Sequence, residues 1–190
     1  GNAEAPDFSY SFWIYVKDWN VKLGKKKSII KRVSTGGDVS PEIYLAENTN
    51  NLGVDVSVYS STGGSGGKSN CTVRNIPLQK WTHIVVTTNN RALDVYIDGK
   101  LVKTHLLSGP IKVSGTAPLR ICSANTNSGE PGFDGYVAKV KYFSRTLNPR
   151  EVYEIYKQGY SGSVFGSLLN KYRLRLSYIK DNEEVGALEI

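Results

Sequence analysis

Two asparagine-rich stretches, residues 46–52 (AENTNNL) and 123–129 (SANTNSG), cluster amide side chains that suit hydrogen bonding to hydroxyl groups. Asn48, Asn50 and Asn51 stand in the first, Asn125 and Asn127 in the second. Trp19, Tyr44 and Tyr59 lie in or beside loops, and an aromatic face stacks on the apolar face of a sugar ring. These eight residues are the candidate ligand-binding set. Singly, each has a plainer reading: asparagine serves turns, and Tyr44 and Tyr59 fit sheet positions.

Catalysis finds less support. Glycoside hydrolysis needs two carboxylates about 5–10 Å apart across the bond. Here Glu42, Glu47 and Asp55 are scattered, and Glu183-Glu184 falls in a turn signal. His83 and His105 have no serine or cysteine partner by motif, and His83 reads as a strand residue beside Trp81. No catalytic residue is assigned, and the chain is not read as an enzyme. Cys71 and Cys122 lack zinc spacing, so no metal ligand is assigned; their pairing stays open.

The formal net charge is +7, much of it in residues 22–32 and 171–180, a pattern of solvated loops. A basic patch also suits nucleic acid or acidic polysaccharide. No aromatic–basic stacking motif supports nucleic acid, and no run approaches about 18 apolar residues, so membrane insertion is not expected.

These residues must be positioned by strands. Alternating or continuous apolar runs predict strands at 8–16, 28–33, 42–46, 53–60, 72–76, 81–88, 92–97, 100–105, 119–123 and 136–143. Asp98-Gly99 predicts a tight hairpin turn, and residues 61–68 a Gly/Ser loop. One helix is expected after Asn148 as N-cap, with Pro149 first, Glu151 closing a capping box and Gly159 as the stop. The sum is an all-β antiparallel sandwich with one short C-terminal helix. Trp13, Ile14, Val85, Tyr96 and Val140 are its expected core between the sheets. Residues 172–179 and 185–190, joined by a turn at 181–184, predict a terminal β-hairpin. An isolated hairpin is marginal in water, so residues 163–190 should pack on the domain formed by 1–162, pairing with an edge of the sandwich.

FSYSFWIYV, LQKWTHIVVTTNNRALDVYIDGKLV and GFDGYVAKVKYFSRTLNPREVYEIYKQG, in that order, resemble the laminin-G-like, concanavalin A-like lectin/glucanase superfamily. The variety it most resembles is the one common in large algal DNA viruses and marine microbial sequences. The resemblance covers residues 8–160 and implies a jelly roll with a terminal helix packed after the last core strand. It implies a non-catalytic carbohydrate-binding module for recognition or adhesion at an extracellular, cell or virion surface. Its partner would be a carbohydrate or glycoprotein; the alternative is a structural module for protein–protein contact. Some members hold a structural calcium. Ala138-Lys139 stands where many carry Asp-Glu, so no cofactor is assigned, with calcium left open.

Overall fold

The structure, a computed structural model, describes residues 7–60, 66–113, 117–122, 132–161, 175–180 and 183–189. Ten strands build a jelly-roll sandwich: β1 (Ser9–Asp18), β2 (Lys27–Val33), β3 (Val39–Leu45), β4 (Leu52–Ser57), β5 (Lys68–Val73), β6 (Thr82–Asn89), β7 (Ala92–Ile97), β8 (Lys100–Leu106), β9 (Leu119–Ile121) and β10 (Asp134–Phe143). Their antiparallel sheets run β10-β1-β6-β7-β8 and β5-β4-β3-β2-β9. Helix α1 (Pro149–Lys157) follows, then β11 (Arg175–Lys180) and β12 (Glu183–Glu189).

Strand β1 shows how the layers arise. Phe8, Tyr10, Phe12, Ile14 and Val16 enter the core between the sheets. Ser9, Ser11 and Trp13 are also buried, because α1 and its flanking turns cover the outer face. Adjacent strand residues point to opposite faces, so Trp13 and Ile14 do not share a core. The expected core set therefore divides. Ile14 and the partly buried Val140 pack between the sheets, whereas the cross-strand pair Val85 and Tyr96 packs with Leu147 and Val152 beneath α1. Trp13 joins that outer layer, its ring 5.7 Å from Tyr156 and nearly parallel to it.

The β5 strand starts earlier than expected, at Lys68 rather than residue 72. It is an edge strand buried on one side only: Cys71 and Val73 turn inward while Lys68, Asn70 and Thr72 are exposed, so its first half reads as loop. Both cysteines are free thiols. β5 and β9 are opposite edges of one sheet. At ~4.8 Å per strand, Cys71 and the Cys122 that follows β9 lie about 19 Å apart, beyond disulfide reach.

The capping box forms as expected: Asn148 Oδ1 accepts from Glu151 N–H at 2.9 Å, and Glu151 Oε2 accepts from Asn148 N–H at 2.9 Å. Arg145 grips the same carboxylate at 2.7 Å, and its hydrogen bond holds the Glu151 pKa down to about 2. The turn at Asp98 and Gly99 has positive φ at both residues (48° and 75°), and a Cβ on Gly99 would lie 3.0 Å from Tyr153. A tight turn thus gives α1 its bed.

A bulge in β10 fixes the other end of the helix. Ser11 pairs with Lys141 and Trp13 with Ala138, leaving Lys139 and Val140 opposite Phe12. Lys139 takes φ +47°, and its Nζ donates to the carbonyls of Gly159 at 2.8 Å, Ser161 at 3.1 Å and Gln158 at 3.4 Å. An ammonium thus sits among the carbonyls just past the C-terminus of α1. This position, where the resemblance put acids in other members, holds the Lys139 ammonium instead. Among the described residues, no three or more His, Cys, Asp or Glu side chains group into a metal site. Lys139→Ala is expected to cost about 1–3 kcal/mol through loss of charged hydrogen bonds. Lys139→Gly should cost about 1 kcal/mol less, because glycine accepts the left-handed backbone. Equal urea midpoints for the two variants would contradict this role of the bulge.

β11 and β12 form a two-stranded antiparallel sheet, and neither joins a five-stranded sheet. The predicted hairpin is present, and among the described residues it does not pair with an edge of the sandwich. Leu174 and the turn at 181–182 lie outside the described residues.

Candidate functional site

Three loops meet at one end of the sandwich: the β1–β2 loop, the β3–β4 loop and the segment after β5. Their backbones are laced together. Gly24 N–H donates to Glu47 O at 3.0 Å, Ile76 N–H to Asn50 O at 2.7 Å, and Gln79 N–H to Val16 O at 2.8 Å. Between them lies an open cavity of about 630 Å³. Four candidate residues, Trp19, Asn48, Asn50 and Asn51, line it together with Asn20, Arg74 and Asn75. Two of the amides also brace the loops: Asn50 Nδ2 donates to Ile76 O at 3.2 Å, and Asn51 Oδ1 accepts from Asn75 N–H at 3.2 Å. Among the described residues, that leaves Asn50 Oδ1, Asn51 Nδ2 and the Asn48 amide without a protein hydrogen bond.

A second depression of about 910 Å³ runs between β5, β8 and the segment after β5. Asn51, Arg74 and Asn75 line both hollows, so the two adjoin across a shared wall and together make up the loop-end groove. Behind the Trp19 wall lies Lys27, 1% exposed, its Nζ 4.6 Å from the centre of the Trp19 ring. Burial pushes the Lys27 pKa down. Neither Lys27 Nζ nor the buried Trp19 Nε1 has a hydrogen-bond acceptor among the described residues.

The structure places the other candidates elsewhere. Tyr44 covers Gly53 with its ring, where an added Cβ would collide, and Lys26 Nζ lies over the ring 3.6 Å from its centroid. Its hydroxyl donates to Asp55 at 3.3 Å and accepts from Asn70 at 2.9 Å. These contacts make Tyr44 part of a polar network on an outer sheet face. Tyr59 follows β4, whereas the asparagine loop precedes it, so Tyr59 lies toward the opposite end with Lys112 over its ring. Asn125 and Asn127 lie outside the described residues.

Glu42 and Asp55, scattered in sequence, face each other across β3 and β4. Lys26 Nζ sits between them at 2.9 Å and 3.1 Å, and Lys31 holds the second Glu42 oxygen at 3.1 Å. Glu42 is buried. A carboxylate pair bridged by an ammonium makes an ion-pair cluster.

One aromatic surface escaped the sequence reading. Tyr15, Trp81 and Tyr136, with Lys17, line a hollow of about 460 Å³ on the outer face of the β1 sheet, and Tyr160 stacks on Trp81 at 4.6 Å. Its signal was parity: Tyr15 shares the outer face with Trp13, and Trp81 continues the line of His83 and Val85. Deeper in that layer His83 is 0% exposed, with Nε2 2.9 Å from Ser11 Oγ and its ring 5.0 Å from Trp13. Desolvation drives its pKa to about 4, against a partial upward pull from Asp98.

Residues 2–153 match the concanavalin A-like lectin/glucanases superfamily. A curated relative, adhesion G-protein coupled receptor V1 of Danio rerio, is 24% identical over 153 residues, covering 75% of this chain and 2% of the receptor. Among solved structures, the binding domain of botulinum neurotoxin DC in complex with rat synaptotagmin II aligns with TM-score 0.61 at 18% identity, over 82% of this chain and 36% of that one. The same domain in complex with SialylT gives 0.60 at 18% identity, over 82% and 36%. This chain therefore corresponds to a small part of the receptor and about a third of each toxin chain.

Proposed function

The chain belongs to the concanavalin A-like lectin/glucanases superfamily, and from that membership we propose a non-catalytic carbohydrate-recognition module acting in adhesion at a surface. The observation that carries the reading is the groove: Trp19 with Asn48, Asn50 and Asn51 at the meeting of three loops. An indole supplies a stacking face and the amides supply paired donors and acceptors for hydroxyls. One such site is small, so useful avidity would come from repetition on a surface. The toxin domain solved with SialylT supports the same class of ligand.

A second reading, contact with a protein, draws on the aromatic face, where Tyr136 is 59% and Tyr160 43% exposed. The synaptotagmin complex of a fold neighbour supports it. A glycan array probed with wild type, Trp19→Ala and Asn48→Ala separates the two. Signals reduced about tenfold or more in both variants, with unchanged circular dichroism, fit recognition in the groove. Blank arrays together with a co-purifying protein lost on Tyr136→Ser would favour the second reading.

A further inference from the structure

Building on the carbohydrate reading, we propose that the end groove takes an anionic saccharide, with Arg74 as the residue that engages its carboxylate or sulfate. Arg74 lines both hollows and is exposed. Lys103 and His105 line the outer hollow, and no aspartate or glutamate lines either one among the described residues. Lys26, Lys31, Lys80, Lys112, Arg145 and Lys157 are engaged in ion pairs. Arg74 and Lys103 are not among them. An arginine whose five donors meet no carboxylate among the described residues, at the junction of two asparagine-lined hollows, is set for a planar or tetrahedral anion.

The buried donors point the same way. Behind the inner wall, Lys27 Nζ and Trp19 Nε1 have no acceptors among the described residues, so the protein places donors there and no carboxylate. A neutral sugar would satisfy the amides but leave this field unanswered. An acidic sugar stacked on Trp19 would place its negative group within the field of Arg74, and the low-dielectric wall would strengthen that attraction.

The test compares lactose, 3′-sialyllactose and 3′-sulfolactose by calorimetry and amide-shift mapping, on wild type, Arg74→Gln and Arg150→Gln. Arg150 is an exposed residue on α1 and controls for net charge. Wild type is expected to bind at least one acidic sugar about tenfold more tightly than lactose, with shifts at Trp19 and Asn48–Asn51. Arg74→Gln should abolish that preference and Arg150→Gln should keep it. The sialyl and sulfo arms tell which anion is taken. Equal affinity for all three sugars, with shifts at the same residues, would overturn the anionic inference and leave the carbohydrate reading standing. A preference equally weakened by both substitutions would mark general charge attraction and also overturn it. Sugars that shift none of these groove residues would remove both.

Discussion

Replacing Trp13 by alanine is expected to destabilise the domain by about 3–5 kcal/mol, the range for deleting a large buried aromatic. Trp13 is 6% exposed and lies among His83, Tyr156 and Tyr160, with ring centroids at 5.0, 5.7 and 5.7 Å. The loss should have a location. Trp13 stacks on Tyr156 in the C-terminal half of α1 and is a main contact of that half with the β1 sheet, so the helix amides should exchange faster than the global unfolding rate allows. Ile14→Ala, one residue away on the other face, should cost about 2–5 kcal/mol without loosening α1 ahead of the core. Hydrogen exchange with urea unfolding checks both. Helix protection in Trp13→Ala equal to that in Ile14→Ala would contradict the two-layer account.

Acid should weaken the fold through His83. Its pKa falls from 6.5 to about 4 because burial disfavours the imidazolium. Between those values the unfolded chain binds a proton that the native state refuses, so stability falls as pH drops from about 6.5 toward 4. At about 1.4 kcal/mol per pH unit, the interval amounts to about 3 kcal/mol. His83→Gln removes the titration, so its urea midpoint should decline less steeply over that window. Parallel profiles for wild type and variant from pH 7 to pH 4 would show that His83 titrates normally.

The residues explain which parts of this architecture were legible in sequence. Alternation in β1 and β4, the Asp98-Gly99 turn and the Asn148–Glu151 capping box are local, and each formed where expected. The choice of face was not local. Trp13 looks as suitable for an inter-sheet core as Ile14, and only α1, folding back from more than a hundred residues away, makes the outer face a second apolar layer. The polar first half of β5 concealed an edge strand for a related reason: one buried face leaves half its residues free to be hydrophilic. At the groove, the asparagine loop and Trp19 were visible as residue types suited to a ligand. Arg74 carried no motif, and its place between two hollows comes from loop packing after β5. The Glu42–Asp55 pairing was hidden because adjacency across β3 and β4 joins residues thirteen apart.

The most direct test of recognition at the loop end is a crystal structure of the protein soaked with mixed neutral and acidic oligosaccharides. The account predicts a sugar ring against Trp19, within hydrogen-bond distance of Asn48, Asn50 or Asn51 and with Arg74 turned toward it. A sugar seated instead on Tyr15, Trp81 and Tyr136, with the groove empty in the same crystal, would contradict it.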